Sequence, residues 1–339
     1  MIRIAVDAMG GDHAPRPEVE GSVLAARELG VHILLAGVPA EIRRELSRQA
    51  HRGLPIEVVP ASEVIAMSDS PTQAFRRKKD SSTHVAARLV AEGQAEAMVS
   101  AGNTGAVMTV ARFLLGTLPS VQRPALAAPF PTSRGGVAVL IDAGANVDSK
   151  VSHLIQFAVM GEIYYRAIFG TRRPKVALLS IGEEEGKGNE LTREAHQGLK
   201  SLPLNFVGNV EGREVFSGMV DVIVCDGFIG NVALKISEGV AQLIATVLKK
   251  ALKSTIASQV GYVLSRSAYQ EFRRKIDYSE YGGAPLLGLR GITVVGHGRS
   301  NANAIKNAIR VAAGLTRARM NEKIEQGLSA LPPVVQCRA

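Results

Sequence analysis

The chain has no tryptophan, and only 4% of its 339 residues are aromatic. Platforms for base stacking are therefore scarce. With no zinc-finger or ribonucleoprotein-type motif either, the composition argues against a nucleic-acid partner. Cysteine is nearly absent: Cys225 and Cys337 are the only two, too few for a disulfide framework or a four-ligand zinc site. Cys225 follows the apolar run Val222 to Val224, which suits a buried, inert thiol better than a nucleophile. No uninterrupted apolar run approaches the roughly 18 residues of a membrane span. The opening "MIRIAVDAMGGDHAP" carries no secretory pattern, so a cytosolic protein is expected.

What is present is an excess of basic residues. Forty Lys and Arg against 31 Asp and Glu leave a net charge of +9, which favours an anionic partner such as phosphate, an acidic protein or a membrane surface. At 46% apolar, the chain can build a full core, and its length suits two lobes around a cleft. Strand-like runs at Ile2–Ala8, His32–Ala36, Ile56–Val59, Ala97–Val99, Val137–Ile141, Val176–Ser180, Val222–Cys225 and Ile292–Val295 alternate with helical stretches. The clearest of those are Ser82–Glu92, Thr104–Leu115, Val151–Phe169 and Asn301–Gln326. Most of the runs are short and continuously apolar, as in strands covered on both faces. The expectation is an α/β fold on a largely parallel sheet, forming one two-lobed catalytic unit over 1–339. "TRRPK" at 171–175 would cross between the lobes, and 327–339 would be a flexible tail.

Four apolar runs end in corners that carry glycine and asparagine: "SAGNTGA" (100–106), "DAGANVD" (142–148), "DGFIGNV" (226–232) and "GHGRSNANA" (296–304). Glycine lets a backbone approach a ligand, and Asn or Ser caps the helix that follows. The first helical amides are then left pointing outward at the positive end of the dipole. Such corners bind oxyanions, and in α/β sheets ligands gather beyond the carboxyl ends of the strands. Candidate phosphate and substrate contacts are therefore Gly102, Asn103 and Thr104, then Asp226, Gly230 and Asn231, then His297, Ser300 and Asn301. Ser300 would cap the last helix, His297 would carry a proton or a hydrogen bond, and Lys187 and Lys235 would offset charge. "DAMGGDHAP" adds Asp7, Gly10 and Gly11 as a loop that shapes the cleft. Its adjacent Asp12 and His13 do not share a face, and no second ligand cluster accompanies them, so no metal is expected.

Familiar nucleotide signatures fail. "GEEEGKGN" at 182–189 is one residue short of a P-loop between its glycines and has Gly188 where Ser or Thr should follow the lysine. "GHGRSN" ends in Asn where a dinucleotide fingerprint needs Gly or Ala. No serine elbow is present. What remains is oxyanion binding by backbone and cationic groups, the requirement of a reaction in which phosphate is the nucleophile.

Between Gly239 and Tyr281 the pattern becomes a long helical pair. Leu252, Ile256, Val260, Val263 and Leu264 fall at helical spacing, with Lys249, Lys250, Lys253 and Arg266 elsewhere on the wheel. An apolar stripe with a basic flank can pack in a core or dimer interface, or touch anionic lipid. The run "RRKK" at Arg76–Lys79 is either a solvated face or a dock for an acidic carrier protein.

Taken in order, "AVDAMGGDHAP", "SAGNTGA", "RPALA", "DAGANVD", "SIGEEEGKGNE", "DGFIGNVALK" and "YGGAPLLGLRGITVVGHGRSNANAIKNAI" closely resemble the bacterial phosphate acyltransferases of phospholipid synthesis. The resemblance spans Ile2 to about Ala313 and departs at Arg299, where that family has serine. It implies transfer of a long-chain acyl group from acyl carrier protein to inorganic phosphate, without a cofactor. The implied fold is similar to phosphotransacetylases and, more distantly, isocitrate-type dehydrogenases. A homodimer is implied, with the helical pair projecting from it and its tip (Leu252, Ile256, Val260, Val263, Leu264) touching the inner face of the cell membrane. The acyl phosphate would pass to a membrane glycerol-3-phosphate acyltransferase. In that chemistry Asn103 and Asn231 are candidate donors to the tetrahedral oxyanion, with Lys187 and His297 beside them. The alternative enzyme is a phosphotransacetylase using short acyl-CoA. A non-enzymatic basic membrane-binding module would leave the four corners without purpose.

Overall fold

The computed structural model describes residues 1–267, 269, 271 and 281–331. Cys337, most of the expected tail and part of the expected helical pair lie outside them. The described strands are β1 (Arg3–Asp7), β2 (His32–Gly37), β3 (Ile56–Pro60), β4 (Ala97–Ser100), β5 (Ala125–Pro131), β6 (Val137–Ile141), β7 (Lys175–Leu179), β8 (Asn205–Val210), β9 (Val222–Val224), β10 (Ala284–Leu287) and β11 (Ile292–Val295). The helices are α1 (Arg16–Leu29), α2 (Pro39–Leu46), α3 (Pro71–Arg77), α4 (Ser82–Ala91), α5 (Thr104–Leu115), α6 (Val151–Phe169), α7 (Glu190–Lys200), α8 (Gly227–Lys253), α9 (Ile256–Leu264), α10 (Ala302–Arg317) and α11 (Met320–Ser329).

All eleven strands join one sheet in the order β3-β2-β1-β4-β11-β10-β5-β6-β9-β7-β8. Alternate residues of each strand enter opposite cores: Ile4 and Val6 one face, Ala5 the other; Val139 and Ile141 one face, Ala138 and Leu140 the other. The continuously apolar runs are thus covered on both sides, as an α/β sheet requires.

The sheet is mostly parallel, but it contains a reversal. β4 and β11 are parallel, β10 is antiparallel to both β11 and β5, β5 is antiparallel to β6, and β6 is parallel to β9. Strands β3, β2, β1, β4 and β11 therefore run one way and β6, β9, β7 and β8 the other. The halves meet at β10, which pairs with β11 through Ala284 and Pro285 and with β5 through Leu286 and Leu287. Each junction is only two residue pairs long. The sheet is weakly laced there, and it opens into a cleft.

Three strands escape the apolar pattern. β5 carries Pro129 and Pro131, which ordinarily argue against an interior strand. They are tolerated because β10 leaves β5 after Ala125 and Leu126, so the rest of β5 has β6 alone as a partner. β8 includes Gly208 and Asn209, and β10 is only four residues long. The expected lobe crossing at 171–175 is also corrected: α6 and β7 lie in the same half, because β7 pairs with β9. The chain crosses instead between α5 and β5. The helix expected over Asn301–Gln326 is two, broken where Arg319 takes the left-handed conformation (φ 51°). Residues 327–331, expected in the tail, are ordered instead, since α11 continues to Ser329 with Leu328 and Leu331 buried.

Buried carboxylates fasten the corners to the sheet. Asp142 accepts hydrogen bonds from the N–H groups of Leu126, Gly144, Ala145 and Asn146 and from Asn146 Nδ2, at 2.8–3.1 Å. The start of α8 packs against this knot so closely that a Cβ on Gly230 would lie 1.8 Å from the Asp142 carbonyl oxygen and 2.9 Å from Cys225 Sγ. Replacing Gly230 by Ala should therefore cost about 3 kcal/mol through overpacking, seen as a melting-temperature fall of several degrees. An unchanged melting temperature would show that α8 is free to shift.

Candidate active site

The cleft encloses about 580 Å³. Its floor is the junction of the two halves, with Leu126, Ala128 and Pro129 from β5, Gly283 and Ala284 at β10, and Val295 from β11. One wall carries Met67, Thr104, Gly105, Met108 and the segment Gly296–Ser300 apart from Arg299; the other carries Gly144 and four residues of α8, Asn231, Leu234, Lys235 and Glu238. Corners from opposite halves thus face one another, and five of the expected residues line the same space: Thr104, Asn231, Lys235, His297 and Ser300.

Other candidates are committed to structure. Asn103 caps α5, its Oδ1 accepting from Ala106 N–H at 3.1 Å while its Nδ2 donates to the carbonyls of Met67 and Asp69. It cannot also donate to an oxyanion from its side chain. What it leaves open is the pair of first-turn amides at Thr104 and Gly105, which have no partner inside the helix. At α10 the cap is Asn301, whose Oδ1 accepts from Ala304 N–H at 2.9 Å, and not Ser300, whose hydroxyl turns back to the His297 carbonyl at 2.6 Å. Asp226 caps α8 through Ile229 N–H at 3.0 Å.

Asp7 is wholly buried and accepts from Thr83 Oγ1 and Ser100 Oγ at 2.7 Å. It joins β1 to β4 rather than facing the cleft. Gly10 and Gly102 let those two corners touch: a Cβ on Gly10 would lie 2.8 Å from both Asp7 Oδ2 and Gly102 N. Gly11 abuts Glu18, and Gly230 abuts Asp142. Lys187 does not line the cleft. It follows β7, separated from β6 by β9 in the sheet order, and its loop folds on itself through Lys187 N–H to the Glu184 carbonyl and Ser180 Oγ to the Lys187 carbonyl.

The polar end of the cleft has its own electrostatics. Glu238 Oε2 lies 2.9 Å from Lys235 Nζ and 3.7 Å from His297 Nε2. Burial pushes the Glu238 carboxyl up, but the contacts from His297 and Lys235 more than offset this and hold it below the usual carboxylate range. Asn231, near the start of the same helix, lines the cleft beside Gly144. Cys225 is buried with its thiol pushed well up by burial and by Asp142 and Asp226, which makes it inert.

Residues 2–323 match the family described as "Fatty acid synthesis protein". The chain belongs to this family. Among curated relatives it is 58% identical to the phosphate acyltransferase of Koribacter versatilis, covering 97% of this chain and 93% of that one. It is 54% identical to the phosphate acyltransferase of Acidobacterium capsulatum, covering 96% and 97%. As a member of this family the protein is an enzyme, an acyltransferase. Its fold is that of the phosphotransacetylases: the Streptococcus pyogenes structure superposes with a TM-score of 0.62 over 95% of this chain and 94% of that one, at 18% identity.

Several cleft-lining positions are not marked by the motifs of the sequence. Glu238 lies seven residues after Asn231, four after Leu234 and three after Lys235, so all four share one helical face. That face was hidden by starting the helical pair at Gly239, whereas α8 begins at Gly227. Met67 and Met108 are isolated in sequence and come together only in the fold. Of the expected tip, Ile256, Val260, Val263 and Leu264 are exposed and Leu252 is half-buried. α8 itself is long and apolar enough to cross a membrane by length and composition, but its first three turns carry Asn231, Lys235 and Glu238 in the cleft wall.

Under the Gly10–Gly11 turn, Glu18 is buried, and its carboxyl is pushed from 4.5 to about 8, chiefly by burial and further by the charges of Asp7 and Asp12. The folded chain therefore holds a proton that the unfolded chain releases above pH 4.5. The resulting stability is complete below that pH and is lost as pH rises through about 8. Replacement Glu18→Gln should leave the melting temperature similar at pH 4 and raise it above wild type at pH 9. Parallel profiles for the two proteins across that range would contradict the assignment.

Proposed function

We propose that the protein transfers a long-chain acyl group, reversibly, from an acyl carrier protein thioester to inorganic phosphate, giving an acyl phosphate for phospholipid synthesis. The observation that carries this reading is the division of one cleft into two chemistries. The first-turn amides of Thr104 and Gly105, the start of α10, Lys235 and His297 supply anion donors to its lining. The same lining also carries apolar surface, with Met67, Met108, Leu126, Ala128 and Leu234 suited to an acyl chain.

In the proposed reaction a phosphate oxygen attacks the thioester carbon, forming a C–O bond and a tetrahedral oxyanion. Asn231 Nδ2 donates to that oxyanion. The C–S bond then breaks and the electron pair leaves on sulfur as a thiolate, a leaving group with a low enough pKa to depart with modest assistance. Phosphate as the dianion needs no prior proton removal, and no step requires a cofactor. The net charge of +9 and the exposed Arg76, Arg77 and Lys79 on and beside α3, a helix packed against α5, support an acidic carrier as donor.

Replacing Asn231 by Ala should lower acyl phosphate formation about 10²–10³-fold, read by hydroxylamine trapping with the circular dichroism unchanged. Full turnover would remove Asn231 from the site. A second reading, a phosphotransacetylase working on short acyl-CoA, is favoured by the shared fold. Side-by-side assays with palmitoyl carrier protein and acetyl-CoA separate the two, and trapping only with acetyl-CoA would overturn the first.

The same reading assigns the exposed helices. Along α8, Phe228, Ile236, Leu243 and Val247 are exposed apolar residues, which suits pairing with a second copy of the chain. Ile256, Val263 and Leu264 on α9, close to Lys249, Lys250 and Lys253 in sequence, suit contact with anionic lipid at the cytoplasmic face of the membrane, where a glycerol-3-phosphate acyltransferase would receive the product. Ile256→Asp together with Val263→Asp should abolish co-sedimentation with phosphatidylglycerol liposomes. Retained binding would assign the stripe to protein contacts alone.

A further inference from the structure

Two of the donors that would receive phosphate, Lys235 and His297, already face an anion. Glu238 Oε2 is approached by Lys235 Nζ at 2.9 Å from the same helix and faced by His297 Nε2 at 3.7 Å from the opposite half of the sheet. His297 Nδ1 accepts the Arg299 N–H at 3.1 Å. A neutral imidazole in that setting carries its proton on Nε2, so it offers Glu238 a donor and not a lone pair. The carboxylate is half-buried in the cleft wall, on the same face of α8 as Asn231. A carboxylate and a phosphate present the same chemistry to an ammonium and an imidazole N–H: an oxygen bearing negative charge at hydrogen-bond distance. Both cannot occupy one set of donors.

Resting on the phosphate reading above, we propose that Glu238 is a built-in occupant of the phosphate site, an internal anion that inorganic phosphate displaces, and that it makes the site selective for divalent oxyanions. The selectivity follows from charge. A monoanion that replaces Glu238 exchanges one single charge for another and gains little, while the displaced carboxylate still repels it from close by. A dianion brings a second charge to Lys235, His297 and the helix-opening amides, which outweighs that repulsion. The link also spans the two walls of the cleft, so exchange of Glu238 for phosphate shifts the contact between the halves from a side chain to the substrate.

Binding can be read without turnover, by isothermal titration of inorganic phosphate and by competition with sulfate and with nitrate. Wild type should bind phosphate, with competition by sulfate and none by nitrate at equal ionic strength. Glu238→Gln should bind phosphate about tenfold more tightly, and nitrate should now compete. Glu238→Ala, which also removes the hydrogen-bonding amide, should change in the same direction, and a thermal melt on each variant establishes that it is folded. If wild type binds phosphate but both variants bind it equally or more weakly, Glu238 is no occupant, and the proposal falls while the phosphate site stands. Nitrate excluded equally from all three proteins would remove the selectivity role. If wild type binds no phosphate, the site reading and the proposal fall together.

Discussion

The architecture depends on the way β10 divides its pairing. Two of its residues bond to β11 and two to β5, so the halves of an eleven-stranded sheet are held across a junction of two short ladders. A longer ladder would close the sheet into one slab, and the strand ends of the two halves would have no space between them. The reversal of direction at the same junction sets the rest. Corners belonging to strands of opposite sense meet across the opening, Thr104 and Ser300 from one side and Gly144 and Asn231 from the other.

Around that opening most polar groups are engaged internally. Asp7 ties β1 to β4, Asp142 gathers the N–H groups of its own corner, and the side chains of Asn103, Asp226 and Asn301 close the first turns of three helices. Buried polar groups that are fully hydrogen-bonded hold a single geometry. The donors left over are few and fixed in place, which is what pre-organised anion recognition requires. Glycine at positions 10, 102 and 230 serves this arrangement by close packing.

The large features were legible from the chain because they are periodic. Short, mainly apolar runs, with helical stretches between them, mark a sheet covered on both faces, and eight of the eleven strands carry that mark. β5 does not, because its prolines are permitted only by the absence of a second neighbour along most of its length, a fact of pairing. In the site, helix-opening Asn and Asp residues were easy to single out, but their type does not reveal whether the side chain points at the ligand or back at the helix. Asn231 and Asn103 occur in similar Gly-Asn contexts. One lines the cleft and the other is a cap, because Asn231 lies inside the first turns of α8 while Asn103 precedes α5. Glu238 is not marked in the chain, because α8 begins at Gly227, twelve residues before the change of pattern at Gly239.

α8 runs without a break from Gly227, past Asn231 in the cleft wall, to Lys253, 27 residues in all and about 40 Å at 1.5 Å per residue. A continuous helix has a single angular phase. The direction in which Glu238 points therefore determines the direction in which Leu243 and Val247 are presented, and every inserted or deleted residue between them would rotate one set against the other by about 100°. Sequence change along this rod is consequently coupled to the site in steps: substitutions can be absorbed one at a time, whereas changes of length must come in near-whole turns.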